Sequence, residues 1–267
     1  MKSSDVRICA VVPTYQNAGT LSDVLGRISA QLTDIIVVDD GSTDATREVL
    51  DAMEKGAVWP ERTGRTGARL YVVRHIRNRG KGHALKSGFR KAAEEGFTHV
   101  ITIDSDGQHF PEDIPLFLDA VRQHPQAIII GSRNIRSENM PGKNTFANKF
   151  SNFWFMVQTC RRLEDTQTGF RAYPLHRISG TALMTSRYEA ELELLVFSAW
   201  NGTQIVPVPI RVYYPPEGER ITHFRPFADF ARISILNTFL CAGAVVYGLP
   251  SIGLRKFFVS LRKSTRP

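Results

Sequence analysis

The chain alternates between short apolar runs and segments whose apolar residues recur every three or four positions. Residues 6–13 read as a buried strand, and Leu21, Val24, Leu25, Ile28 and Leu32 then recur at helical spacing. Residues 35–38 read as a second strand, with helical sequence over 45–55. Residues 56–68 mix Gly, Arg, Thr and Pro and read as a surface loop. A strand at 70–73, a helix at 83–95, a strand at 99–103, a helix opening at Pro111 and a strand at 127–130 follow. Strand and helix in alternation predict a mostly parallel sheet with helices on both faces, an α/β fold.

The strands end in chemistry-bearing residues. The run His99-Val100-Ile101-Thr102-Ile103 stops at Asp104 and Asp106, then Gly107 and Gln108. Asp-Gly is also common turn chemistry, so this stretch alone does not decide. The second strand, however, ends in Asp39, Asp40 and then Asp44. In an open parallel sheet the carboxyl ends of the strands face the ligand crevice. Acids placed there can accept hydrogen bonds from a base or ribose and can hold a divalent cation. No Gly-x-x-x-x-Gly-Lys-Ser/Thr loop occurs, and no Gly-x-Gly-x-x-Gly follows the first strand. Phosphate binding would therefore lean on a metal and on Lys or Arg. That suits a nucleoside diphosphate departing from a sugar better than an ATPase or a dehydrogenase.

The second half is less regular. Residues 137–163 set Lys143, Lys149, Arg161 and Arg162 among Phe146, Phe150, Phe153, Trp154 and Phe155. A helix over 188–200 carries Glu189, Glu191 and Glu193, which at alternate positions cannot all share one face. Glu191 thus reads either as a site residue or as part of a solvated face. Residues 205–214 include Pro207 and Pro209 and make an edge strand at best. The apolar run 233–249 would be ~25 Å long as a helix, short of the ~30 Å hydrocarbon core. Arg255, Lys256, Arg262, Lys263 and Arg266 follow it. A core helix needs no such basic flank, so association with a membrane surface is favoured over simple packing.

Composition narrows the partners. The chain has 267 residues, 42% hydrophobic content and a net charge of +8. It can bury a sizeable core and should meet an anionic partner. Zinc-finger spacing and an RNP-like aromatic box are absent, which sets nucleic acid aside. Cys9, Cys160 and Cys241 show no metal-site spacing and read as reduced thiols of a cytoplasmic protein. The N-terminus runs directly into a strand, so no signal peptide is visible.

Six motifs in order now carry a resemblance. They are Val12-Pro13-Thr14-Tyr15, Val37-Val38-Asp39-Asp40-Gly41-Ser42-Thr43-Asp44, Asn78-Arg79-Gly80-Lys81-Gly82, Asp104-Ser105-Asp106-Gly107-Gln108-His109, Gly131-Ser132-Arg133 and Thr168-Gly169-Phe170-Arg171. The chain resembles a family 2 inverting glycosyltransferase of GT-A fold, and within it the dolichyl- and polyprenyl-phosphate mannosyl- or glucosyltransferase branch. The resemblance implies a nucleotide-sugar donor, UDP- or GDP-linked, a lipid-linked acceptor, and Mg²⁺ or Mn²⁺. It implies that Pro13 and Tyr15 line the base pocket and that Asp40 accepts from base or ribose. Lys81, Asp104 and Ser105 would lie at the donor, and Asp106 with Gln108 would bind the metal and the diphosphate. Arg133 would touch the donor or the acceptor phosphate. Lys143, Lys149, Arg171, Arg220 and His223 would serve the acceptor or a closing loop. The branch usually carries an acid where this chain has Asn17, and its later Arg-x-x-Gly-Glu-Ser-Lys-like segment is only approximated at 216–223.

These features predict one glycosyltransferase domain at 1–225, with a donor half (1–135) and an acceptor half (136–225). A tail at 226–267 would associate with the cytoplasmic face of a membrane, or pack and serve as an oligomer interface. An inverting transfer to a lipid phosphate needs little base catalysis, because that acceptor is already an anion. A hydroxyl of a glycolipid or envelope saccharide would need a base, and Glu191 or Asp165 would supply it. A nucleotidyltransferase is the rival enzyme class. It would be expected to carry an N-terminal Gly-rich loop with Arg and Lys, and Pro13-Thr14-Tyr15-Gln16-Asn17 is not one.

Overall fold

The computed structural model describes residues 6–56, 68–133, 142–181, 183–214 and 226–264, without the side chains of 142–146, 226–230, 256 and 258–264. Of the expected loop at 56–68, residues 57–67 lie outside the described residues.

The first half follows the hydrophobic pattern. Strands β1 (Ile8–Thr14), β2 (Asp34–Asp39), β3 (Arg69–Arg74) and β4 (His99–Thr102) alternate with helices α1 (Ala18–Ser29), α2 (Thr46–Glu54) and α3 (Lys81–Glu94). β2 and β4 are buried along their whole length, as continuous β-branched runs covered on both faces should be. In α1 the buried residues include Leu21, Val24, Leu25 and Ile28, the positions that recur in the sequence. Pro111 opens a 3₁₀ turn (Pro111–Asp113) that runs into α4 (Ile114–Gln123), and β5 (Ile128–Arg133) follows.

The order then changes. Helix α5 (Gly142–Thr159) leads to β6 (Arg171–Pro174), a strand too short and too charged at its start to be seen in the pattern. β6 enters the sheet between β4 and β5 and runs antiparallel to both. The strand order is β3-β2-β1-β4-β6-β5-β7, with β7 (Ile205–Ile210) a parallel edge strand beside β5. Gln204 O accepts from Ile128 N, so residues of even number turn their backbone groups toward β5. Pro207 and Pro209 therefore put their missing N–H groups on the free edge, where no ladder bond is lost. One face of the sheet packs Val11, Val38, Val100 and Tyr173 against α3, α5 and α7 (Glu189–Trp200). The other packs Ile35, Ile101, Ile129 and Phe170 against α1, α2 and α4. This is the GT-A arrangement, and it leaves the carboxyl ends of β1, β2 and β4 along one rim.

Helix α7 has no solvated face. Glu189 and Glu191 are each 6% exposed and Glu193 is fully buried. The reading of Glu191 as part of a solvated face is therefore corrected: α7 is enclosed between α3, α5 and the C-terminal helix. Glu193 accepts from the N–H groups of Met184 and Thr185 and holds the segment before the helix.

The tail is one helical run: α8 (Pro226–Gly243), a π-helical turn (Ala244–Gly248) and α9 (Leu249–Ser264). Its apolar stretch, Ala231–Arg255, has 25 residues, and its most apolar 18-residue window has a mean hydropathy of 1.6. That is about 37 Å of helix, longer than the run 233–249 suggested. Leu236, Leu240 and Ala244 enter the core. Asn237 Oδ1 accepts from Gln158 Nε2 at 2.9 Å. The Trp200 indole lies against Gly243 and Gly248 and donates to Gln158 O. On the opposite face Ile235, Phe239, Val245, Val246 and Leu254 stand exposed, as do Phe153 and Val157 of α5.

Candidate active site

The ends of β1, β2 and β4 and the starts of α3 and α7 enclose a crevice of about 870 Å³. Pro13, Tyr15, Asp40, Lys81, Asp104, Ser105, Asp106 and Gln108 all line it. The sequence-predicted donor and metal residues are thus brought together.

Asp40 sits at the end of β2 and is heavily engaged. Its carboxylate accepts from Arg79 N and from Gly80 N at 2.7 Å, and meets His75 Nδ1 at 2.6 Å. His75 Nε2 in turn meets Ser87 of α3 at 2.9 Å. Asp40 therefore orders the segment that delivers Lys81. Gly80 has φ +95°, and where its Cβ would stand lie Arg187 Cγ and Ser186 O, both at 2.7 Å. Gly80-Lys81-Gly82 is thus a notch that seats the start of α7, and this brings Arg187 and Tyr188 into the crevice wall.

Lys81 Nζ lies 2.7 Å from Asp104 Oδ1 and 2.8 Å from Glu191 Oε2. Burial works against the ammonium, but Asp104 and Glu191 outweigh it and raise its pKa above the ordinary lysine value. Burial likewise disfavours the Asp104 carboxylate, and Lys81 outweighs that, holding its pKa below the usual range. Gly169 packs directly on this pair. A Cβ there would overlap Asp104 Oδ2 and come within 2.7 Å of Lys81 Nζ. The backbone of the Thr168-Gly169-Phe170-Arg171 segment is a wall of the site.

Asp106 has no cationic partner among the described residues and accepts from Gln108 N at 3.0 Å. Burial, then the charge of Asp104, pushes its carboxyl up to about 6. An acid so strained in its ionised form gains from a cation. Among the described residues no group of three His, Cys, Asp or Glu stands ready to cage a metal. Asp106, Gln108 and diphosphate oxygens would instead form an oxygen set of the kind that suits Mg²⁺ or Mn²⁺. The residues fit such an ion as one shared with a phosphate ligand.

Ser105 lines the crevice with a hydroxyl already committed. It donates to Pro13 O at 3.1 Å and accepts from Asn17 Nδ2 at 2.7 Å. Asn17, the departure from the branch pattern, thus ties the end of β1 to the Asp104–Asp106 turn through an amide N–H that an acid would lack. Its Oδ1 is buried without a partner.

Several expectations are corrected. Arg171 does not meet an acceptor: it is 1% exposed, and it donates to Thr168 O, Thr166 O and Glu191 O from inside the fold. Asp165 is fully buried at its side chain and forms a two-bond ion pair with Arg133, with Asn148 Nδ2 donating to it at 2.7 Å. Burial opposes its ionisation, Arg133 outweighs burial, and its pKa is held down. That makes it a poor base, and it ties up Arg133 at the end of β5. Lys149 is exposed on α5 and does not line the crevice. Arg220, His223 and the side chain of Lys143 lie outside the described residues. The sequence reading passed over Arg187 and Tyr188. Their signal was a basic-aromatic pair directly before the Glu-rich helix.

The chain belongs to glycosyl transferase family 2, whose model matches residues 9–188. It is an enzyme of the glycosyltransferase class. The chain is 28% identical over 213 residues to undecaprenyl-phosphate mannosyltransferase of Micrococcus luteus, covering 77% of this chain and 83% of that one. It is 28% identical over 219 residues to UDP-N-acetylglucosamine--dolichyl-phosphate N-acetylglucosaminyltransferase of Methanococcus voltae, covering 79% and 87%. Its fold is like that of glucosyl-3-phosphoglycerate synthase from Mycobacterium tuberculosis, solved with Mn²⁺, UDP and phosphoglyceric acid. The TM-score is 0.62 at 20% identity, over 91% of this chain and 79% of that one.

Proposed function

We propose that the protein transfers a sugar, with inversion, from a UDP- or GDP-sugar to a polyprenyl phosphate at the cytoplasmic face of a membrane. The observation that carries this reading is that both candidate bases are paired with a cation: Glu191 with Lys81, Asp165 with Arg133. A hydroxyl acceptor needs a free base, whereas a phosphate acceptor is already an anion at neutral pH. Relatives named for undecaprenyl-phosphate and dolichyl-phosphate acceptors agree with it.

In this reading Pro13, Tyr15 and Asp40 form the nucleotide end of the crevice, and Asp104 stands at the ribose or phosphates. Asp106 and Gln108 would hold Mg²⁺ or Mn²⁺, which would supply positive charge to the departing diphosphate. Lys81 keeps Asp104 ionised and fixed, and Gly169 leaves room for both. The strand ends hold donor and acceptor in line.

The long C-terminal helix supports a surface-lying mode rather than a span. Its inner face is fastened to the catalytic fold by Asn237, Leu240 and the Trp200 contact. Its outer face, from Ile235 to Leu254, is apolar and bracketed by Arg232 and Arg255. Such a helix lies in the headgroup plane with its apolar side in the acyl boundary.

The test is a screen of UDP- and GDP-sugars against polyprenyl phosphate with Mg²⁺ or Mn²⁺, run with Asp106→Asn and Asp104→Asn. Product formation with metal-dependent nucleotide binding lost in Asp106→Asn and weakened in Asp104→Asn supports the assignment. The reverse pattern refutes the division of roles, and no product with any donor refutes the activity.

A further inference from the structure

We infer that Arg187 is a donor-contacting residue that binds the diphosphate of the nucleotide sugar. The inference rests on the donor reading above and adds a residue to it. Among the described residues lining the crevice, two side chains are cationic, Lys81 and Arg187. Lys81 is spent on Asp104 and Glu191. The Arg187 guanidinium has no carboxylate or hydrogen-bond partner among the described residues. An Arg in a crevice usually finds an acid, so an unpartnered one beside three carboxylates is informative.

The charge balance says what it is for. Asp40, Asp104, Asp106 and Glu191 against the Lys81 ammonium and one divalent cation already leave one negative charge over. A nucleotide-sugar diphosphate brings two further negative charges into a partly buried site. Arg133 cannot answer them while it is held by Asp165. Arg187 can, and a guanidinium offers forked N–H donors that match phosphate oxygens.

Its placement agrees. The Arg187 stem crosses directly over Gly80, with Cγ where a Gly80 Cβ would collide. Gly80 N is bonded to Asp40, at the nucleotide end of the crevice, and the next residue, Lys81, reaches Asp104 at the acid end. Arg187 therefore enters midway between the two ends, over the stretch a diphosphate would occupy. The same notch explains why residue 80 is Gly: any side chain there would displace Arg187.

The test uses the full chain with Mn²⁺ and the Arg187→Gln and Arg187→Lys variants. Calorimetry measures the Kd of UDP and GDP, and ligand-observed NMR measures uridine and guanosine. For whichever base the wild type binds, Arg187→Gln should weaken the nucleoside diphosphate roughly 10- to 100-fold, as loss of a charge-assisted bond does. It should leave nucleoside binding and Tm unchanged, and Arg187→Lys should recover part of the loss. Unchanged diphosphate affinity, or an equal loss for nucleoside and diphosphate, would overturn the assignment. A wild type that binds neither UDP nor GDP would overturn the donor reading itself, a result distinct from the first two.

Discussion

Lys81 and Glu191 form an ion pair of 2.8 Å inside the fold, and the same ammonium holds Asp104 at 2.7 Å. The pair decides how the most conspicuous acid of the Glu-rich helix is used. To take a proton from an acceptor, the Glu191 carboxylate would have to give up its contact with the Lys81 ammonium. Glu191→Gln should therefore lower kcat by less than about tenfold, far short of the 10²–10⁴ that loss of a general base costs. Steady-state rates across pH check this. A thousandfold fall together with loss of the acidic limb would make Glu191 the base.

Gly169 is the position where the site tolerates least. Gly169→Ala drives a methyl group into Asp104 and Lys81. The fold should survive, because the clash is with side-chain ends that can shift. Activity should fall on the order of 10²-fold, since a displacement near 1 Å in a positioned site has that effect. Circular dichroism and kcat, measured together, separate misplacement from unfolding.

The Arg133–Asp165 pair gives a pH-dependent stability. The Asp165 pKa in the folded protein is depressed below its unfolded value, so its contribution is fully present above the ordinary aspartate range. It is lost as pH falls through the folded pKa. Asp165→Asn should cost about 3–5 kcal/mol at pH 7, because it strands a buried guanidinium. The gap between wild type and variant should shrink below about pH 4, where unfolded aspartate takes up its proton. Urea unfolding at pH 7 and pH 3 measures both.

The outer face of the C-terminal helix should carry membrane binding. Phe239→Ser with Val246→Ser removes two exposed apolar side chains, 65% and 81% accessible, from that face. Two such side chains are together worth about 3 kcal/mol of burial, on the order of 100-fold in partition to vesicles. Liposome flotation should show that loss with an unchanged Tm. Asn237→Leu, on the inner face, should leave flotation intact.

Much of this was readable from residues alone, for identifiable reasons. β1, β2 and β4 are buried on both faces, so they appear as short apolar runs rich in β-branched residues, and their polar ends announce the rim of the crevice. Asp40, Lys81, Asp104 and Asp106 sit on or beside those ends. The rest depends on distant packing. β6 is short and antiparallel, and its Arg171 looks like a surface cation while it holds carbonyls inside the fold. Glu191 reads as part of a solvated face only until α3, α5 and α8 enclose α7. Arg187 gained its place from Gly80, more than a hundred residues earlier in the chain, a relation no local pattern expresses.

The central claim is that the acceptor supplies its own negative charge. The most direct measurement offers the enzyme one nucleotide sugar, one divalent metal and two acceptors of equal chain length, a polyprenyl phosphate and the corresponding free polyprenol, and quantifies glycosylated lipid. Product from the phosphate alone, at a rate little changed by Glu191→Gln, is the predicted result. Product from the alcohol, abolished by Glu191→Gln, would contradict it.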